Sequence, residues 1–331
     1  MIFTKLMKKV FYRILHPFMS RLLIISGTSA ALAQTQSDLA QTQSDLAQTR
    51  IVIFEQLLKQ NLHCESINKY EICLADYLRM DLKYVFDSGA GILAFPSYDK
   101  VMSERIIQNG IWEPSEQKWI KINARKDSII LNVGANVGVH TLVSASMIGE
   151  EGRVIAFECK YELVQILKLN LIVNNAQRVE VVESAVGEFA GKSLMFCSSN
   201  NSGDNRLNYA DELQEYGVEV DVIRIEDYCL DNGLRPDLII MDIQGLELAA
   251  IRGIGDVVTQ NGKILFEFTP TWIHEDLEVS RLQLDDVLDS GYRLFQLFES
   301  GIEKPISTAK VMQSFVANPD LLYLNLVLHK I

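Results

Sequence analysis

The sequence predicts an α/β fold: a mostly parallel sheet covered by helices on both faces. Two observations carry this reading. From Ile129 onward, short apolar runs of strand length alternate with longer stretches of helical periodicity, an order that forces crossover connections. The strand-like runs, above all Ile129–Val133 and Asp237–Asp242, are nearly continuous in apolar residues, as strands buried on both faces require.

Taken in order, residues 51–80 read as helical, with Ile51, Phe54, Leu57, Leu58 and Leu62 on one face. Short strands begin near Leu82. The alternation then runs strand Ile129–Val133, helix Val137–Met147, strand Arg153–Phe157, helix Tyr161–Asn174 and strand Val179–Val182. Leu194–Cys197 and Val220–Ile225 are further strands, Asp237–Asp242 another, and Leu246–Arg252 a helix. Strand Lys263–Phe268, helix Arg281–Ser290 and strands Arg293–Phe298 and Leu322–His329 complete the pattern.

Ahead of this domain lie three segments of different character. Residues 1–31 are basic and apolar. Phe3, Leu6, Met7, Val10, Phe11, Ile14 and Leu15 recur at helical spacing with Lys5, Lys8, Lys9 and Arg13 between them, a pattern that suits peripheral contact of residues 3–18 with an anionic membrane surface. Leu22–Ala33 is apolar but only 12 residues long, short of the roughly 20 a membrane span needs. Ala31, Leu32 and Ala33 also fit a signal-peptidase site, which leaves secretion as an alternative to a cytoplasmic location. Residues 32–49 repeat the heptapeptide LAQTQSD, placing Leu32, Leu39, Leu46 and Ile53 on one stripe. Gln36, Gln43 and Arg50 occupy the complementary core positions, so residues 32–58 would support only weak self-association or a helical linker. Residues 50–80 form a helical lead-in, and 81–331 the main domain.

The chain carries 31 Lys and Arg against 43 Asp and Glu, a formal charge of -12. Residues 1–37 hold five bases and no acid, so this +5 leaves -17 for the rest. An acidic domain speaks against a nucleic-acid partner, which needs a basic surface for phosphates. The five cysteines include no C-x-x-C pair, which argues against a zinc site or a disulfide framework and for reduced thiols. No H-E-x-x-H, P-loop or G-x-S-x-G occurs, so zinc hydrolysis, ATP use and a hydrolase triad lack support.

Three features fall at carboxyl ends of expected strands, where open α/β sheets bind ligands. Gly134–Gly138 follows one strand, Glu158 stands 20 residues after Gly138 at the end of the next, and Asp242–Glu247 (DIQGLE) follows a later one. A glycine turn lets backbone approach a nucleotide-like ligand, and an acid some 20 positions on is placed for ribose hydroxyls. NAD and S-adenosylmethionine both fit the first two features. NAD favours G-x-G-x-x-G, and here Asn136 stands at the second glycine's place. S-adenosylmethionine has no phosphate and tolerates a side chain there.

The chain resembles the FkbM-type S-adenosylmethionine-dependent methyltransferases. The matching segments are Ile130–Gly138 (ILNVGANVG), Val154–Glu158 (VIAFE), Leu167 with Asn170, Ile240–Glu247 (IMDIQGLE) with Gly253, Ile264–Glu267 (ILFE) and Ser202–Arg206 (SGDNR). Together they cover roughly residues 80–300. The resemblance implies a class I methyltransferase (Rossmann-like) three-layer fold whose seven-stranded sheet has its last strand antiparallel, behind the N-terminal helical appendage. It implies S-adenosyl-L-methionine as cofactor, with Asn132, Gly134, Asn136, Gly138, Glu158 and Asp242 around it. Two departures stand out. The family usually has Asp where this chain has Asn132, and Glu where it has Gln244. Asn132 accepts a hydrogen bond without a charge, and Gln244 cannot act as a base.

The reaction expected is methyl transfer to a hydroxyl of a small molecule, such as a sugar, glycan precursor or secondary metabolite. It requires close alignment, exclusion of water and, for a hydroxyl, help from a general base. Asp242, Glu267 and His274 are the catalytic candidates, with Glu247 and His140 behind them. Trp272, Asp204 and Arg206 are candidates for the acceptor pocket. Two other functions compete: an NAD-dependent oxidoreductase, and a non-catalytic, membrane-tethered binding protein, for which Asn132 and Gln244 are the evidence.

Overall fold

The computed structural model describes residues 80–85, 88–207, 217–270 and 277–331. The expectations for residues 3–18, the heptapeptide repeat, the helical lead-in before residue 80, Trp272 and His274 all lie outside these residues.

The chain opens with an antiparallel hairpin, β1 (Leu82–Val85) and β2 (Leu93–Pro96), then two helices, α1 (Met102–Asn109) and α2 (Pro114–Asn123). The expected alternation follows: β3 (Ile129–Val133), α3 (Val139–Met147), β4 (Arg153–Glu158), α4 (Tyr161–Val173) and β5 (Val179–Glu183). Next come β6 (Ala185–Val186), β7 (Gly191–Phe196), β8 (Arg206–Leu207), β9 (Gly217–Ile223), α5 (Ile225–Asp231), β10 (Leu238–Met241) and α6 (Glu247–Arg252). The remainder is β11 (Lys263–Phe268), α7 (Leu277–Asp289), β12 (Tyr292–Leu297), β13 (Glu303–Pro305), α8 (Thr308–Ala317) and β14 (Leu324–Lys330).

Eight strands form the main sheet in the order β13-β12-β14-β11-β10-β3-β4-β5. From β11 to β5 every pairing is parallel, and β14 is wedged antiparallel between β11 and β12. This is the class I methyltransferase arrangement. The expected count of seven is corrected to eight, because the three-residue β13 pairs antiparallel with β12 and extends the edge. Four further strands, β6-β9-β7-β8, make a separate small sheet. The sequence marks β7 and β9 as strands but nothing in it shows that they leave the main sheet.

Alternation along β3 sets the two faces. Leu131 and Val133 join a core with Ile225 of α5, Leu248 of α6, Leu284 of α7 and Phe315 of α8. Ile130 and Asn132 point the other way, where Thr141 of α3 donates a 2.7 Å hydrogen bond to Asn132 Oδ1. The hairpin is pinned by the amide of Asn170 on α4, which accepts from Ala94 N–H at 2.7 Å and donates to Ala94 and Val137 carbonyls at 3.0 and 2.8 Å. Asn170 thus locks hairpin, helix and glycine loop together. Among the described residues no helix is long and apolar enough to cross a membrane.

Candidate active site

The cleft opens at the carboxyl ends of β4, β3, β10 and β11. Its floor is the glycine loop. Gly134 has φ +79°, and a Cβ there would stand 1.9 Å from the Asp242 carbonyl oxygen. At Gly138 (φ +96°) a Cβ would meet Leu167 Cδ1 of α4 at 2.5 Å. Gly134 is therefore required by close backbone packing, and Gly138 by its left-handed backbone. Gly134 and Ala135 donate to the Phe157 carbonyl at 3.0 and 2.8 Å, which fastens the loop to the end of β4.

Glu158 ends β4 and is 8 % exposed. Its Oε1 accepts the N–H groups of Cys159 and Lys160, each at 2.9 Å, and its Oε2 accepts that of Asn136 at 2.9 Å. These first two amides precede α4, so the carboxylate also fixes the chain at the entry to that helix. Burial raises the Glu158 pKa, against the pull of these amides. Glu158 lines the cleft, and its Oε2, which takes one donor only, has acceptor capacity left.

The loop's own amides are already engaged. Asn136 N–H serves Glu158, Val137 N–H is bonded to Asn136 Oδ1 at 2.7 Å, and Gly138 N–H to the Ala135 carbonyl at 2.9 Å. A pyrophosphate needs such amides free at the helix N-terminus. These three loop amides are thus not free for a phosphate. Beyond Glu158, on the side away from β10, the wall is mostly apolar: Ala185, Val186, Met195 and Leu207 from the small sheet. That wall can take a flat base.

On the opposite side, carboxyl groups gather. Asp242, just past β10, receives a hydrogen bond from the Gln244 amide and shares one with Glu267 of β11. Glu113, on the turn into α2, lines the same wall. Glu116 lies buried behind it, bonded to Ser115 Oγ at 2.7 Å and to the Asn325 amide. Burial pushes all four upward. Glu267 reaches about 10, driven next by Asp242; Glu113 stands well above its ordinary value, driven next by Glu116; Asp242 and Glu116 rise as well. Tyr323 is raised to about 12 by burial and then by Glu267. Glu113 holds φ 44° immediately before Pro114. A non-glycine residue before proline is normally extended, so this left-handed turn is strained, as backbone at ligand sites often is.

His140, in the first turn of α3, has its Nε2 3.4 Å from Glu113 Oε2, with no hydrogen-bond partner for that nitrogen among the described residues. Burial lowers its pKa to about 4, so the imidazole is neutral at physiological pH.

Of the residues expected at the site, Gly134, Asn136, Glu158, Asp242 and Glu267 line the cleft, and Gly138 shapes it from beneath. Asn132 does not reach it: strand alternation turns the side chain toward α3 and Thr141, 2 % exposed. Glu247 clamps its own loop instead, accepting Ile243 N–H at 2.9 Å and Gly245 N–H at 3.0 Å. Asp204 and Arg206 pair with each other at 2.7 Å, while Asn201, Ser202, Gly203 and Asn205 of that loop face the cleft. Arg105, Trp112, Glu113 and Tyr323 had no signal in the sequence, because they arrive from α1, the turn before α2 and the entry to β14 rather than from a strand end bearing a motif.

The family model for the methyltransferase FkbM domain matches residues 132–294. Among solved structures, the chain is similar to a precorrin-6y C5,15-methyltransferase from Geobacter metallireducens GS-15, at 13 % identity and TM-score 0.37 over 65 % of this chain and 88 % of that one. It is similar to an rRNA methylase from Streptococcus thermophilus at 12 % identity and TM-score 0.37, over 65 % and 93 %. A third similarity is to Aeropyrum pernix fibrillarin with natively bound S-adenosyl-L-methionine, at 11 % identity and TM-score 0.38, over 66 % and 76 %. No curated protein matches the chain in sequence. The glycine loop, the strand order and the family match agree: residues 132–294 match the methyltransferase FkbM domain.

Proposed function

We propose that this protein is an S-adenosylmethionine-dependent O-methyltransferase acting on a hydroxyl of a sugar, glycan precursor or secondary metabolite. The observation that carries the reading is Glu158: a carboxylate fixed by three backbone amides and lining the cleft beside the glycine loop. Glu158 would hold the ribose hydroxyls, the apolar wall of Ala185, Val186 and Met195 the base, and the Asn136–Gly138 turn the ribose-to-methionine link. The bound cofactor supplies an electrophilic methyl group.

The rest of the chemistry belongs to the chain. Asp242 and Glu267 would accept hydrogen bonds from the acceptor's hydroxyls and fix their direction, while Trp112 and Tyr323 would pack against its apolar face. Asp242, already bonded to Gln244 and Glu267, orients the hydroxyl better than it deprotonates it. The neutral His140 imidazole, its Nε2 3.4 Å from Glu113 Oε2 in the cleft wall, would receive the proton the hydroxyl loses. Residues 3–18 would bring the domain to the cytosolic membrane face. That placement fails if a chain beginning at Ile51 fractionates with membranes as the full chain does.

Calorimetric titration of the full chain with S-adenosylmethionine, S-adenosylhomocysteine and NAD tests the cofactor. Micromolar binding of the first two and none of NAD is expected; binding of NAD alone would overturn the reading.

A further inference from the structure

Asn136 needs support from outside the glycine loop. It holds a left-handed backbone, φ 50°, without being glycine, and its N–H is the one that reaches Glu158 Oε2, at 2.9 Å. Two groups seat its side chain. Asn136 Nδ2 donates to Met102 Sδ at 3.4 Å. Gly203 stands so near that a Cβ there would lie 3.7 Å from the same nitrogen and 3.4 Å from the same sulfur. Met102 opens α1, and Gly203 belongs to the distant turn at residues 201–205. One fully buried side chain, Asp99, holds both segments. Its Oδ1 accepts the N–H of Ser103, next to Met102, at 3.0 Å. Its Oδ2 accepts the N–H and the hydroxyl of Ser202, next to Gly203, at 2.9 and 2.5 Å. A bond to Ser103 alone would be ordinary fastening at a helix entry. Oδ2 does nothing for the helix, since both its donors come from the turn.

We infer that Asp99 is a positioning residue for the ribose site: it clamps Met102 and Gly203 onto Asn136, and so aims the Asn136 N–H that sets Glu158 for the ribose hydroxyls. The inference rests on the S-adenosylmethionine reading above. Asp99 is not part of the cleft lining and lies ahead of residues 132–294, which match the family domain. It acts through Ser103 and Ser202 alone. If the Ser202 end is released, the turn no longer presses on Asn136, and the left-handed residue is free to relax. Glu158 Oε2 then loses its fixed donor, while Oε1 stays held by the N–H groups of Cys159 and Lys160. The carboxylate keeps its place and loses its aim. The loss falls on the ribose hydroxyls, because the base would lie against a different wall, that of Ala185, Val186 and Met195. The turn itself keeps a second attachment, from Lys100 N–H to the Asn200 carbonyl at 3.0 Å, so loss of the Asp99 tie does not set it adrift.

The test compares two probes by calorimetry on the full chain: 5′-methylthioadenosine, which keeps base and ribose, and its 2′-deoxy analogue, which lacks one hydroxyl. Wild type should prefer the ribose form by about tenfold or more, the share of one hydroxyl bonded to a charged oxygen. Asp99→Asn keeps the side chain's shape, but its amide nitrogen cannot accept, so one end of the clamp is released. The preference should then fall to about threefold or less. Ser202→Ala removes only the hydroxyl and should shift the preference the same way; it decides the matter if Asp99→Asn does not fold. A purely structural Asp99 would lower the melting temperature and leave the ratio of the two probes at its wild-type value, and that ratio in folded variant protein overturns the inference while the cofactor reading stands. Equal binding of both probes by wild type also overturns it, by removing Glu158 from the ribose. Failure of wild type to bind either 5′-methylthioadenosine or S-adenosylhomocysteine overturns the cofactor reading and the inference with it.

Discussion

Replacing Glu158 by Gln is the sharpest perturbation of the cofactor cleft, because it keeps the shape and removes the charge. The three amides around the carboxylate dictate how the new side chain must sit. Two of them, on Cys159 and Lys160, converge on one oxygen, so the Gln carbonyl oxygen will take that place. The Gln NH2 group is then left pointing at the Asn136 N–H, a donor facing a donor. One unmatched buried amide costs about 1–3 kcal/mol, which in a domain of this size lowers the melting temperature by on the order of 5 °C. The ligand loses more. A hydroxyl bonded to a charged oxygen contributes about 1.5–3 kcal/mol, and at about 1.4 kcal/mol per factor of ten the affinity for S-adenosylmethionine should fall roughly 10- to 100-fold. Calorimetry measures the affinity and a thermal melt the fold. Glu162→Gln, on α4 outside the cleft lining, is the control and should change neither affinity by more than twofold nor the pocket. Glu158→Gln protein that binds S-adenosylmethionine within threefold of wild type would show that this carboxylate serves only to fix the chain between β4 and α4, and would refute the reasoning.

Three further outcomes follow from the same geometry. Gly134→Ala should unfold the loop, because a Cβ 1.9 Å from a backbone oxygen cannot be relieved by a side-chain shift and φ +79° adds about 1–2 kcal/mol for a non-glycine residue; urea denaturation within error of wild type would contradict it. Asn132→Asp should not tighten cofactor binding, since the side chain faces Thr141 and not the cleft. It should instead destabilise the fold by about 1–3 kcal/mol through a poorly compensated buried carboxyl group, and a gain in affinity by titration would overturn this. Burial raises Glu267 from its ordinary 4.5 to about 10 in the folded protein. The folded state therefore keeps a proton that the unfolded chain gives up, so this group's stabilisation is full below about pH 4.5 and is lost as pH climbs toward 10. Melting temperatures measured from pH 5 to 9 should decline toward the alkaline end, and Glu267→Gln should flatten the decline; identical profiles for the two proteins would exclude it.

The parallel strands were legible because burial on both faces writes a continuous apolar run, as in Leu238–Met241 and Ile129–Val133. The glycine turn and Glu158 were legible because backbone proximity and strand ends leave a fixed spacing. The face of a short motif residue was harder to read: Asn132 sits inside a binding motif, yet the two-residue period of β3 turns it to α3. Helix α2 escaped because it buries Glu116 and Gln117 along with Trp119 and Ile120, so its polar and apolar residues do not sort into faces. Strand β13 escaped because Glu303–Pro305 is three residues long and carries two charges and a proline. The carboxyl wall combines α2 and the entry to β14 with β10 and β11, and only the fold brings such distant segments together.

The wedged strand β14 also bears on how the protein is made. Residues 324–330 pair with β11 on one side and β12 on the other, and every other strand described is synthesised before them. Until they emerge, β11 and β12 each present an open hydrogen-bonding edge, the kind of surface on which nascent chains associate wrongly. Tyr323, which completes the carboxyl end of the cleft, arrives only at that moment. A growing polypeptide of this design passes through a stage that has its glycine loop and Glu158 but not its closed sheet. Its yield in a cell should therefore depend on chaperones that shield strand edges late in translation.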